Sequence, residues 1–253
     1  MGKLKKFIHR LIGQLGYIFL PRSMRMAIIK SMILAEESAP PRDSVRWMLG
    51  VYDYIATNID AQAIRWGNGV HIKHELMDGI HSFFYTHIPE GANVLDLGCG
   101  YGVVANSIAI HSNAHVLGID FSEHHIKFAQ TNYKNPNLRF IKGDVFKDIP
   151  DMSSVDVIVL SSVLEHLEGR IEFLRNLTAR FKPKKFLIRV PTLERNHYVA
   201  LKRELGLSPF LDKTHVLEYT TAIFAEEMDK SGLLINSCEI RWGDIWAECV
   251  PQP

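Results

Sequence analysis

Asp96 lies inside the apolar run Val94-Leu95-Asp96-Leu97, directly ahead of three glycines at alternate positions: Gly98, Gly100 and Gly102. An apolar run closing on such a turn is how a buried parallel strand hands over to a helix. Glycine there allows positive φ and lets the backbone pass close to a ligand. A carboxylate in that position is costly unless it meets a partner. A second acid, Asp120, ends the apolar stretch AHVLGID, and a third, Asp144, follows LRFIKG. A glycine-rich turn after one strand with an acid at the end of the next is the signature of a nucleoside cofactor. A dinucleotide site would read GxGxxG, but Val103 stands at the third such position. The acid ahead of the first glycine also disfavours an anionic pyrophosphate. The pattern suits a ligand with a cationic part and no phosphate. Two histidines stand where a general base could act near neutral pH: His166 in SSVLEHL and His215 in DKTHVLEYT.

These residues need a scaffold that gathers strand ends. Strand-like stretches at 94–97, 114–120, 138–142, 155–160 and 186–190 alternate with helical ones. Such alternation predicts an α/β fold with a parallel sheet and helices on both faces. Ser122 is placed to cap the helix after the second strand. Residues 233–240 and 244–250 read as two strands around a tight turn at Gly243-Asp244, so they must pair antiparallel. A longer polar stretch from Pro191 to Tyr219 fits no simple α/β unit.

At this point the sequence resembles the class I S-adenosylmethionine-dependent methyltransferases, over residues 92–250. VLDLGCGYG resembles their first motif, GID at 118–120 their second-strand acid, and FIKGDVF at 140–146 their third-strand acid motif. DVIVLSSVLEHL is similar to their fourth-strand motif, and FKPKKFLIRVP to their turn and fifth strand, with Lys184-Lys185 in place of glycines. The resemblance implies a Rossmann-like seven-stranded sheet, mostly parallel with one antiparallel strand, and an N-terminal helical extension. It implies S-adenosyl-L-methionine as cofactor. By the same resemblance Gly98, Cys99, Gly100 and Gly102 form the cofactor loop, and Asp96 orients that loop or sits near the amino group. Asp120, with Phe121 beside it, takes the ribose hydroxyls. Asp144 accepts from the adenine amino group, Val145 donates its backbone N–H, and Ser161 and Ser162 sit beside the cofactor. Cys99 reads as a small packing residue, since nothing nearby suggests an activated thiolate. The expected acceptor is an oxygen on a small molecule, a sugar or a lipid-linked intermediate. The alternative is a catalytically silent relative that binds cofactor or a partner.

Residues 1–90 read as a helical extension or lid, and 91–253 as the methyltransferase domain. Residues 3–15 form a basic amphipathic pattern suited to the surface of an anionic membrane. Further helices are expected over 22–37, from a cap at Asp43 or Ser44 through Ile55, and through Leu76 and Phe84. The segment from Trp66 to His74 is expected to fold over the cofactor, with Lys73 or Arg65 facing its carboxylate in a looser part of the resemblance. His71 and His74 stand three apart, but no acid or cysteine pattern completes a metal site. Three cysteines without a CxxC argue against disulfides or zinc, and no 18-residue apolar run is present. A cytoplasmic setting, with peripheral contact at the inner membrane face, fits these features. Net charge is +1, and no concentrated basic surface points to nucleic acid.

Overall fold

The computed structural model describes residues 11–14 and 19–253. The amphipathic helix expected over 3–15 lies outside the described residues except for 11–14, which are helical and exposed. Helix α1 (Arg22–Ala35) buries none of its residues. Helix α2 (Pro41–Trp66) starts with proline at its first position, so Pro40 is the N-cap rather than Asp43 or Ser44. The Ser44 hydroxyl instead donates to the Glu36 carbonyl at 2.5 Å. The single helix expected through Leu76 and Phe84 is two short ones, α3 (Lys73–Leu76) and α4 (Ser82–Thr86). Between them Gly79 takes φ +80°, which stops a helix.

The sheet then follows: β1 (Asn93–Leu97), α5 (Val103–His111), β2 (His115–Asp120), α6 (Glu123–Asn132), β3 (Leu138–Lys142), β4 (Val157–Ser161), α7 (Arg170–Phe181) and β5 (Lys185–Pro191). Helices α8 (Tyr198–Glu204) and α9 (Thr221–Lys230) precede the hairpin β6 (Leu233–Arg241) and β7 (Asp244–Pro251). Strand order is β3-β2-β1-β4-β5-β7-β6, with β7 antiparallel to both neighbours. The hairpin turn is Trp242-Gly243, one residue earlier than expected. Both residues have positive φ, 57° and 77°, the geometry that matches the twist of paired strands.

Alternation along the strands sorts the core into two layers. Leu95, Ile158, Leu160, Phe186 and Ile188 face α7 and α9, where Phe173, Leu174, Phe224 and Met228 fill the space. Val94, Val116, Val157, Val159 and Leu187 face the other way, onto Ile108 of α5, Phe83 and Phe84 of α4, and Trp246. Residues 80–88 are therefore built into the sheet's core. Helix α2 is held more loosely. Its tethers run to α8: the Lys202 ammonium, nearly buried, meets Asp53 at 2.6 Å, Arg42 meets Glu204, and Tyr52 packs edge-on against Tyr198.

Candidate functional site

In an open α/β sheet a ligand binds beyond the carboxyl ends of the strands where the order reverses. Here that point lies between β1 and β4. A cavity of about 980 Å³ opens there, lined by the ends of β1, β2, β4 and β5 and by the segment after α2.

The loop after β1 makes its floor. The N–H groups of Gly98 and Cys99 both donate to the Ile119 carbonyl, locking the loop onto β2. Gly98 and Gly100 have φ +70° and +52° and line the cavity. A Cβ on Gly100 would meet nothing within 4 Å, so a ligand can approach that backbone directly. Gly102 is placed otherwise than the resemblance implied. It does not line the cavity; a Cβ there would meet Phe140 at 2.6 Å and Ala129 at 2.9 Å. Its missing side chain lets α5 pack closely on β3 and α6. Cys99 is buried, lines the cavity, and burial raises its thiol pKa, so it is inert packing.

Asp96 is 1% exposed, and its Oδ2 has no hydrogen-bond partner. Burial, helped by the charge of Asp120, pushes its pKa up to about 8. An orphaned acid facing a cavity fits a ligand that brings positive charge. Asp120 is 5% exposed and already organised: Oδ2 accepts from Gly100 N–H at 2.9 Å, and Oδ1 accepts from Ser122 N–H at 2.8 Å. The His125 ring nitrogen lies 3.2 Å from the same Oδ1. A carboxylate offers about four acceptor sites, so Asp120 keeps capacity toward the cavity. Its exposed neighbour Phe121 forms part of the rim. Asp144 and Val145 lie beyond β3; Asp144 Oδ1 accepts from Phe146 N–H, which fixes the turn. Ser161 ends β4, and Ser162 takes φ +58°, a strained value for a non-glycine residue.

The far pole holds His166, Thr214, Arg189, Lys73, His71 and His74. His166 Nδ1 lies 3.0 Å from Thr214 Oγ1; partial burial and nearby His215 lower its pKa. His215 does not line the cavity. Its Nδ1 lies 2.9 Å from Oε1 of buried Glu218, whose other oxygen is gripped by Arg195, so it stands behind His166. Its hydrogen bond to Glu218 and the surrounding acids overcome burial and raise its pKa. Glu165 is 1% exposed, and burial pushes its pKa up to about 7. Donor atoms of Glu165, His166 and His215 lie within 4.8 Å of one another. The cavity face of the upstream segment is Ile64, Val70, His71, Lys73 and His74, whereas Arg65 turns to Gln62. Lys73 forms no ion pair among the described residues, and burial followed by Arg189 lowers its pKa. His74 stacks near His81, with ring nitrogens 3.1 Å apart, and burial pushes its pKa down to about 3.

Arg189, Thr214 and Glu165 escaped the sequence reading. Arg189 had a signal: a cation in the apolar strand Phe186–Val190 must find a partner. It finds Asp244 at 2.6 Å and the Trp246 ring at 4.9 Å. Thr214 and Glu165 had none, because their roles arise from chain segments about 50 residues apart.

Residues 88–205 match a family model described as a methyltransferase domain. The ubiquinone biosynthesis O-methyltransferase of Rickettsia bellii is 27% identical over 165 residues, which is 59% of this chain and 68% of that protein. The enzyme of the same name from Coxiella burnetii is 31% identical over 119 residues, 46% of this chain and 50% of its own length. Among solved structures, a TehB-like methyltransferase from Corynebacterium glutamicum superposes with TM-score 0.52 at 18% identity, covering 78% of this chain and all of the other. Magnesium protoporphyrin IX methyltransferase from Synechocystis, with bound S-adenosylmethionine, gives 0.52 at 17% identity, covering 76% and 83%. The switch-point cavity and the glycine-rich loop that floors it lie within the stretch that matches the methyltransferase domain, and the solved neighbours share its fold.

Proposed function

We propose that this enzyme transfers a methyl group to an oxygen of a small-molecule, sugar or lipid-linked acceptor, with His166 as the general base. One observation carries the reading: a single cavity of about 980 Å³ joins the glycine loop to the histidine pole. That volume is at the top of the ~300–1,000 Å³ range of ligand sites, enough for a nucleoside cofactor and an acceptor side by side. The names of the relatives, O-methyltransferases of ubiquinone biosynthesis, support oxygen as the receiving atom.

S-adenosylmethionine supplies a methyl carbon already activated on a sulfonium sulfur. In this reading Asp96 faces the cationic methionine end, Asp120 uses its remaining acceptor capacity on the ribose hydroxyls, and Asp144 with the Val145 N–H reads the adenine. Ser161 lies beside the methionine end, and Lys73 faces its carboxylate. Val70 to His74 close over the site and exclude water, so the lid is this part of the upstream extension and not residues 80–88, which belong to the core. His166 takes the acceptor's proton; its lowered pKa keeps it neutral and competent at neutral pH. A second reading rests on the clustered donors of Glu165, His166 and His215. Such a trio could hold a divalent cation, which would acidify an acceptor hydroxyl without a base.

The lid side suits an apolar or membrane-borne acceptor. Helix α1 carries Arg22, Arg25 and Lys30 and no acid, and it exposes Met24, Ile28, Met32 and Leu34. Liposome co-sedimentation tests this: deletion of residues 1–35, which removes α1 together with the basic amphipathic stretch at 3–15, should weaken binding to anionic vesicles, and equal behaviour of both forms removes the membrane contact.

Calorimetric titration with S-adenosylmethionine comes first; no binding, or no loss on Asp120→Ala, overturns the cofactor assignment. Transfer of a labelled methyl group to a panel of catechols, phenols and sugars then reads the acceptor. His166→Gln should keep cofactor affinity and lose transfer by roughly 10²–10⁴-fold. Full transfer by that variant overturns the base, and loss of wild-type transfer on chelation favours the cation.

A further inference from the structure

We propose that Thr214 and Asp212 form a relay that sets the tautomer of His166, holding the proton on Nδ1 and leaving Nε2 as the basic nitrogen for the acceptor. The inference rests on the reading of His166 as the base, but its geometry is independent of turnover.

The argument is an accounting of protons. Thr214 Oγ1 lies 2.7 Å from Asp212 Oδ1 and 3.0 Å from His166 Nδ1. A hydroxyl has one proton to donate and can accept as well. Asp212 carries a carboxylate whose pKa is lowered by its hydrogen bonds to Thr214 and by both histidines, against the opposing effect of burial, so at neutral pH it only accepts. The threonine proton therefore points at Asp212. Toward His166 the hydroxyl can then only accept, and Nδ1 must bring the proton. A neutral imidazole carries one such proton, so Nε2 holds the lone pair.

The rest of the loop is built to keep Asp212 in place. Its Oδ1 also accepts from Thr214 N–H at 2.8 Å. His215 follows Thr214, and its Nδ1 donates to Glu218 at 2.9 Å, since that carboxylate has no proton to give. Arg195 binds both oxygens of Glu218, which is 1% exposed. His215 Nε2 lies 3.9 Å from the other oxygen of Asp212, so a protonated His215 presents its charge to that carboxylate. His215 thus acts as a positioning residue behind the base. Without the relay an imidazole prefers the opposite tautomer, with the proton on Nε2 and no basic atom facing the acceptor.

The test is heteronuclear NMR of the imidazole nitrogens in the full chain saturated with S-adenosylhomocysteine, with His166 assigned by difference against His166→Gln. The wild type should show His166 protonated at Nδ1 and not at Nε2. Thr214→Val keeps the shape and removes the acceptor, so the Nδ1–H signal should be lost in favour of Nε2–H. Thr214→Ser should restore it. Asp212→Ala frees the hydroxyl to donate to Nδ1 and should shift the tautomer in the same direction as valine. Unchanged S-adenosylhomocysteine affinity in each variant shows that the fold and cofactor site are intact. A wild-type His166 protonated at Nε2, or a tautomer unmoved by Thr214→Val, overturns the relay. Because the readout needs no acceptor, it is separate from the transfer assay on His166→Gln that tests the base itself.

Discussion

Asp96→Asn should make the unliganded enzyme more stable and a poorer cofactor binder, and the gain should grow with pH. The carboxyl is fully buried with an orphaned oxygen, and its pKa stands at about 8 against an ordinary 3.8. The folded state therefore holds a proton that the unfolded chain releases. A raised folded pKa means stability that is fully present below the unfolded value and is lost as pH climbs through the folded one. Between pH ~4 and ~8 the wild type should lose about 1.4 kcal/mol per pH unit relative to a residue that does not titrate. At pH 7 the difference is on the order of 4 kcal/mol. Asparagine has nearly the shape of a protonated carboxyl and brings a similar donor, so it escapes the titration at little steric cost. Urea denaturation of both proteins across that pH range reads the difference directly. The same carboxyl should release up to about one proton when a cationic ligand binds at pH 7. Calorimetric titration in buffers of different ionisation heat counts that proton. A stability difference that is flat between pH 4 and 8, with no proton released on binding, would refute a protonated buried Asp96.

Three other perturbations separate structure from chemistry. Asp120→Asn should lower S-adenosylmethionine affinity by roughly 10–100-fold in a titration, because one amide has too few acceptor sites to hold the N–H groups of Gly100 and Ser122 and also take the proposed ribose hydroxyls. Gly102→Ala combines positive φ with a Cβ driven against Phe140 and should cost about 1–3 kcal/mol in a denaturant melt. Gly100→Ala meets no neighbouring atom but still strains a φ of +52°, so it should cost about 1 kcal/mol of stability and weaken cofactor binding as well. Asp53→Asn leaves the nearly buried ammonium of Lys202 without its counter-charge; it should cost about 1–3 kcal/mol and speed hydrogen exchange along α2 more than in the sheet.

The order and type of the sheet elements were legible in the sequence because each is a local pattern. Apolar runs of strand length, the glycine loop and Ser122 as a cap all act through neighbours in the chain, and β3 was delimited to its end residues, 138 and 142. The upstream helices were read less well. Pro41 begins α2 where a polar cap was expected, and Gly79 divides what looked like one helix. Proline and glycine decide such boundaries through φ, which apolar periodicity does not report.

The glycine-loop end of the cavity is local too: Asp96, Gly98, Gly100, Asp120 and Asp144 each stand in or just past a strand end that the sequence marks by itself. Residue type and spacing pointed to a nucleoside ligand with a cationic part and no phosphate, and the resemblance carried by the same motifs implied S-adenosylmethionine. The histidine pole was decided only by tertiary structure. His166 and His215 look equivalent in the sequence, yet one lines the cavity and the other is turned toward Glu218. Thr214 meets His166 across 48 residues, and Arg189 meets Asp244 across 55. Such pairs are settled by how the loop after β5 folds back over β4. Which nitrogen of an imidazole carries its proton follows from those contacts, and no local pattern encodes them.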